Sequence, residues 1–195
     1  IRDRGYTYDG NNNLISVADP SGSAITYTYN AMDLVTSFTD GRGNVTQYGY
    51  DERGNLTSVT DPLGGTIQYQ YDTRGNMTAM INPLRKLMRL TYNQYENLTL
   101  LISPQGSRTA MTYDHVGNML SRTDALGNRI AFRYDSLNRL IEMRYPRGGV
   151  TQFSYDLNGN RLSLTDANNR TTRYVYNGRD QLIRIHNALG GVTQM

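Results

Sequence analysis

The chain has 195 residues, a net charge of +3 and a mean hydropathy of −0.61. With 37% apolar residues, no Trp, no Cys and three Phe, it is too polar to fill a deep core and cannot form a disulfide scaffold. No run approaches the roughly 18 apolar residues of a membrane span, and the arginines are scattered in a way that fits a solvated surface better than a nucleic-acid footprint.

The remaining composition is that of strands and turns. There are 16 Tyr and 19 Gly, with many Asn, Asp and Thr. Tyr and Thr favour pleated strands, while Gly, Asn and Asp favour reversals, so the chain reads as all-β. From Tyr8 onward it repeats every 21 residues: Tyr29, Tyr50, Tyr71, Tyr92, Tyr113, Tyr134, Tyr155 and Tyr176 follow without insertion or deletion, each succeeded by Asp or Asn. Two residues before each stands a large apolar or aromatic side chain, from Tyr6 and Tyr27 through Leu90, Met111, Phe132 and Phe153 to Tyr174. Repeats of this kind decide the fold, because each copy is one supersecondary unit that stacks on the next.

Each period contains two predicted reversals. In chain order, Asp19-Pro20-Ser21-Gly22 is the first of the Asp-Pro-x-Gly kind, with Pro preset for the second position of a turn. Strand residues Ile25, Tyr27 and Tyr29 follow on one face, with Thr26 and Thr28 on the other. Asp51-Glu52-Arg53-Gly54-Asn55 and Asp72-Thr73-Arg74-Gly75-Asn76 are the other kind. There Asp opens a type I turn, and Gly takes the positive φ of the bulge that closes a three-residue hairpin loop. Gly54, Gly64 and Gly75 thus alternate at spacings of 10 and 11, leaving strands of about six residues. The second strand of each repeat is expected to place Ile15 beside Val17, and Leu162 beside Leu164, on the apolar face. In the fifth repeat Arg85 and Glu96 stand where glycines are expected, which predicts local irregularity. Gly106 resumes the pattern, Gly127 and Gly148 continue it, and Asn169 interrupts it again.

These elements predict a meander of about 18 antiparallel strands. At about 4.8 Å per strand it would extend roughly 85 Å, and open sheets of more than about ten strands curl. The expected fold is therefore all-β: tandem 21-residue β-hairpins forming a long curled antiparallel ribbon, a single array of nine repeats over residues 1–195 with no separate domains. Neither end looks like a capping repeat, and the last strand would be cut at Met195. That ordinary look of both ends predicts a fragment of a longer array, self-associating through its edge strands.

The combination Tyr-x-Tyr-Asp-x-x-Gly-Asn-Leu followed by Thr-Asp-Pro-x-Gly, as in "YGYDERGNLTSVTDPLGG", closely resembles the YD repeat of bacterial rearrangement-hotspot (Rhs) proteins, in which the looser copy "FRYDSLNRLIEMRYPRGG" could also stand. Similar repeats occur in wall-associated proteins, in shell-forming components of insecticidal toxin complexes and in teneurins. The resemblance covers all nine repeats. It implies a strip of hairpins that spirals into a hollow shell around a C-terminal cargo, often a toxin, which a conserved aspartate motif at the shell's end releases by self-cleavage. Neither that motif nor a cargo domain is recognisable in these residues. The implied role is that of structural wall material of a secreted or cell-surface bacterial polymorphic toxin, encapsulating the toxin without catalysis of its own. The implied partners are flanking repeats and the enclosed toxin domain, with a secretion apparatus or cell surface beyond them. Nucleic acid and membrane insertion are not implied. The alternative is an extracellular adhesion module that binds carbohydrate or protein along its tyrosine and arginine rows.

Residues with chemical potential are sparse. His115 sits in a predicted turn and His186 at a strand end, with no nucleophile or metal-ligand cluster nearby. Asp9, Asp51, Asp72, Asp114, Asp135 and Asp156 align along one edge, but turn formation accounts for each, and the glycine-rich nonapeptide of calcium-binding coils is missing. Neither a catalytic residue, nor a cofactor, nor a metal site is expected. Asn-x-Thr triplets such as Asn55-Leu56-Thr57 arise from the turn pattern itself. The landmark residues are Tyr29, Tyr50, Tyr71, Tyr113, Tyr134 and Tyr155, with Gly54, Gly64, Gly75 and Gly127.

Overall fold

The computed structural model describes residues 4–195, so residues 1–3 of the expected array lie outside the described residues. It contains nineteen strands and, among the described residues, no helix. One compact unit, extending to Thr91 and including Ile102–Gly106, holds β1 (Gly5–Tyr8), β2 (Leu14–Ala18), β3 (Ala24–Tyr29), β4 (Val35–Thr39), β5 (Val45–Tyr50), β6 (Leu56–Thr60), β7 (Thr66–Tyr71), β8 (Met77–Ile81) and most of β9 (Leu87–Tyr92). The other, Tyr92–Leu101 with Ser107–Met195, holds most of β10 (Leu98–Ile102), then β11 (Arg108–Tyr113), β12 (Met119–Thr123), β13 (Arg129–Tyr134), β14 (Leu140–Arg144), β15 (Val150–Tyr155), β16 (Arg161–Thr165), β17 (Thr171–Tyr176), β18 (Leu182–His186) and β19 (Val192–Gln194). Within each unit every strand from β1 to β9, and from β11 to β19, pairs antiparallel with its sequence neighbour.

The two reversals of each repeat prove to be the same loop. In the 51–55 turn the Gly54 N–H donates to the Asp51 carbonyl (3.0 Å), and the Asp51 N–H donates to the Asn55 carbonyl (3.0 Å). The 61–65 turn repeats this with Gly64 to Asp61 (3.0 Å) and Asp61 to Gly65 (2.9 Å). The fourth residue of the loop must be left-handed, and among the described residues eleven glycines and seven other residues take positive φ at such positions. Gly54, Gly64, Gly75 and Gly127 are at 83°, 86°, 91° and 81°.

The expected irregularity of the fifth repeat does not occur. Arg85 (φ 55°) and Glu96 (φ 65°) adopt the left-handed conformation, and their N–H groups still reach Asn82 and Asn93 at 2.9 and 3.1 Å. At Arg85 the pairing of β8 with β9 on either side of the loop overrides the side chain's preference, at about 1–2 kcal/mol. Arg85→Gly should therefore raise stability by about 0.5–1 kcal/mol, the relief of strain being partly offset by the greater freedom of glycine in the unfolded chain. A rise in the urea midpoint at unchanged slope checks this.

The ladders on the two sides of a strand differ. Across the Asp-x-x-Gly loop four residue pairs form with a bulge, as in Thr28↔Ser37 followed by Tyr29↔Val35, which leaves Thr36 extra. Across the other loop only three pairs form, as in Ser37↔Gln47, Phe38↔Thr46 and Thr39↔Val45. The bulge corrects the expected facing of the second strand. Thr36 turns its hydroxyl to Thr28 (2.8 Å), beside the Thr28–Ser37 contact (2.7 Å), on the polar face. Leu14 then pairs with Tyr8, and Leu140 with Tyr134, so the apolar face is built from the residues before and after the bulge. Leu120 and Leu162, at the bulge itself, are about two-fifths exposed. Tyr27 packs on Phe38 with ring centroids 5.5 Å apart. Burial is shallow throughout: Ala79, Met111, Ser121, Glu142 and Thr151 are the buried side chains among the described residues, and none of these is large and fully enclosed.

Candidate functional site

The edge that carries the Tyr-Asp dipeptides has the most organised chemistry. Because the three-pair ladders stop short of this edge, the first residue of each second strand lies beyond its neighbour's pairing. The landmark tyrosine of the next repeat reaches across that opening. Tyr29, Tyr50 and Tyr71 donate their phenolic O–H to the carbonyls of Leu14 (2.8 Å), Val35 (2.9 Å) and Leu56 (2.9 Å). Tyr113, Tyr155 and Tyr176 do the same to Leu98 (2.9 Å), Leu140 (3.0 Å) and Arg161 (3.2 Å). Each bond spans 15 residues and ties one hairpin to the preceding one. Tyr134 occupies the equivalent place at the end of β13. Desolvation holds the phenols of Tyr50, Tyr71, Tyr113 and Tyr134 above their ordinary pKa, so they stay protonated across the physiological range.

The aspartate that follows caps its own loop. Asp51 Oδ1 accepts from the N–H groups of Arg53 and Asn55 (both 2.9 Å), and Oδ2 accepts from Asn55 Nδ2 (2.9 Å). Asp72 and Asp156 use Asn76 and Asn160 in the same way. Where the left-handed residue of the next repeat is itself polar, the amide extends further: Asn13 donates to both Asp9 (3.1 Å) and Asp33 (2.7 Å), and Asn160 to both Asp156 (3.0 Å) and Asp180 (2.6 Å). In Arg139, which replaces that Asn, the guanidinium pairs with Asp135 (2.7 Å), reaches the Asp156 carbonyl (2.7 Å) and lies 4.9 Å from the centre of the Tyr155 ring. Arg161, which stands in the apolar column of Leu14, is accommodated over Tyr174 at 4.6 Å.

These bonds have a sign for acid stability. The side-chain amide of Asn55, above all, holds the Asp51 carboxyl below its ordinary pKa; desolvation opposes it and the backbone N–H donors add to it, and Asp72 and Asp156 follow with Asn76 and Asn160. A depressed folded-state pKa means that the unfolded chain binds more protons at low pH. The stabilisation is therefore complete above the unfolded value of about 3.9 and is lost as pH falls through the lower folded values. Denaturation midpoints should be insensitive to these groups between about pH 5 and 7 and decline below about pH 4. Asp51→Asn combined with Asp72→Asn should flatten that acid limb, as read from urea titrations at several pH values.

His115 lies exposed at the tip of the 114–118 loop, and His186 closes β18 opposite Arg173 and Val192. Among the described residues, no three metal-ligating side chains converge. The tyrosine-to-carbonyl bond was not predicted from the sequence; its signal was the tyrosine column together with the unpaired end of the preceding strand.

The RHS Repeat family model matches residues 8–45, 33–66, 50–86, 113–151, 134–171 and 155–192. The chain belongs to the RHS repeat family. No curated protein matches it. Among solved structures, the TcdB2-TccC3-TEV crystal structure matches 97% of this chain and 12% of its own at TM-score 0.72 and 15% identity. The TcdB2-TccC3 crystal structure without its hypervariable C-terminal region covers 94% and 12% at TM-score 0.53 and 16% identity. The Tc holotoxin pore of Photorhabdus luminescens, with a mutated TccC3, gives 94%, 12%, 0.52 and 16%. At these identities the likeness is one of fold, and this RHS segment spans about an eighth of the chains it matches. Its role as a structural RHS repeat rests on the family and on the hairpin lacing described above.

Proposed function

We propose that the chain is a wall segment of an RHS shell that encloses a C-terminal cargo or toxin domain in a secreted or surface-displayed bacterial protein, with flanking repeats continuing the ribbon at both edges. The observation that carries this reading is the bond from the phenols of Tyr29, Tyr50, Tyr71, Tyr113, Tyr155 and Tyr176 to the previous hairpin. It is an interaction that propagates repeat by repeat along a sheet and serves no chemistry in any single repeat. Shallow burial supports it, because a sheet whose apolar side is half-exposed is suited to be one layer of an enclosure. On this reading the nine repeats act as one array, and the edge strands β1 and β19 pair onward with neighbouring repeats; freed from them, the segment self-associates through those edges.

The test is protease protection of the enclosed domain in the full-length protein. A C-terminal domain that resists digestion until the RHS region is destabilised supports the wall reading. A domain cleaved at the rate of the isolated domain overturns it.

A further inference from the structure

The polar face of the second unit is an arginine surface. Arg108 on β11, Arg129 and Arg133 on β13, Arg144 on β14, Arg173 on β17 and Arg184 on β18 are all exposed. Register places them on one side of the sheet. Ser121 faces Ala131, Arg133 faces Glu142, Glu142 faces Gln152, Ser163 faces Arg173, and Val175 faces Arg184. The corresponding positions of β1–β9 hold Thr, Gln, Ser, Ala and a few apolar residues, with Arg89 the one charged residue there. The repeat itself therefore does not call for arginine. In sequence, the second unit carries 12 basic against 8 acidic residues, whereas the first carries 8 against 9.

The charge on this face is not neutralised from within. Glu142, 5% exposed, is the carboxylate on that side of β11–β19, and it pairs with Arg144 (2.6 Å) and Arg133 (3.5 Å). Among the described residues Arg108, Arg129, Arg173 and Arg184 make no ion pair. Arg173 and Arg184 are diagonal neighbours across β17 and β18, within about 7–8 Å at the backbone, and like charges so placed repel. At the turn edges stand Asp114, Asp135, Asp156 and Asp180, with Arg139 and Arg179, on one side, and Asp124 and Asp166, balanced by Arg147 and Arg170, on the other. The strands between those rows are five or six residues long, about 17–20 Å.

We infer that this face is a docking surface for an acidic polypeptide segment, which lies between the two aspartate rows and presents carboxylates to the guanidinium forks. Guanidinium suits this task because it binds carboxylate bidentately and is weakly hydrated. A helix or strand about 10–12 Å across fits between the rows. A nucleic-acid duplex, wider than a peptide, would press phosphates against the net negative edge of Asp114, Asp135, Asp156 and Asp180, which disfavours it. The inference does not depend on the wall reading.

Fluorescence anisotropy on the 195-residue chain, with a labelled polyglutamate peptide at about 0.02 M salt where screening is weak, tests it. Arg173→Gln with Arg184→Gln should weaken binding roughly tenfold, while Arg42→Gln with Arg89→Gln, an equal change of net charge in the other unit, should alter it less than about twofold. Circular dichroism and melting of both variants confirm that each is folded. Equal losses in the two double variants would mean attraction to net charge alone and would overturn the proposal. So would the absence of polyglutamate binding, or tighter binding of a DNA duplex with the same dependence on Arg173 and Arg184.

Discussion

Tyr71→Ala should destabilise the chain by about 2–4 kcal/mol, at the lower end for loss of an aromatic ring because Tyr71 is half-buried. Tyr71→Phe should cost about 1 kcal/mol, since it keeps the ring and removes the donor to the Leu56 carbonyl. The ring and the hydroxyl act on different partners: the ring fills the apolar face beside Met77, its register partner, and the hydroxyl closes the gap between β6 and β7. Urea unfolding gives the totals, and hydrogen exchange locates them. Amides of β6 and β7 should lose protection in Tyr71→Phe, while those of β2 and β3 keep theirs. Stability falls locally in a repeat array because each copy contacts mainly its neighbours. An unchanged midpoint in Tyr71→Phe, with β6 as protected as before, would show that the bond across the opening carries no weight.

Gly54→Val is expected to cost about 2 kcal/mol, from forcing a β-branched residue into the left-handed conformation. Gly54 is at φ 83°, and a Cβ there would approach Leu34 Cδ1 at 3.3 Å, which adds crowding to the backbone strain. The paired experiment is Gly75→Asp. Asn12, Asp33, Asn138, Asn169 and Asp180 already occupy this loop position, and Asp33 accepts from the side-chain amide of Asn13. An aspartate at 75 would stand near Asn55, whose Oδ1 is 3.9 Å from the Cβ position of Gly75. It should therefore be close to neutral, within about 0.5 kcal/mol, as the new hydrogen bond offsets the residual strain. A neutral Gly54→Val would contradict the loop's conformational demand; a Gly75→Asp as damaging as valine would show that side-chain chemistry does not rescue it.

Much of the fold was legible because the turns are specified locally. Asp51 and Gly54 fix a loop between them whatever happens elsewhere, and the constant 21-residue period then fixes strand length. Two features escaped for non-local reasons. The bulge that leaves Thr36 extra is a property of a pair of strands, and counting alternation along one strand set Ile15 beside Val17 when Leu14 is the residue that shares the tyrosine face. A hint was available: that position holds Leu14, Val35, Leu56, Met77, Leu98, Met119, Leu140 and Leu182, broken only by Arg161. The phenol-to-carbonyl bond likewise needs two repeats at once, so Tyr50 alone reads as packing. The fifth repeat stays regular where irregularity was expected because local propensity at Arg85 yields to the ladder of β8 with β9.

Electron cryo-microscopy of the full-length protein tests the wall directly. The predicted map shows residues 4–195 as consecutive hairpins within a closed β-wall, β1 and β19 paired onward to further repeats, and density for another domain on the enclosed side. A map in which these hairpins stand free of any enclosure, with both faces open to solvent, would contradict the account.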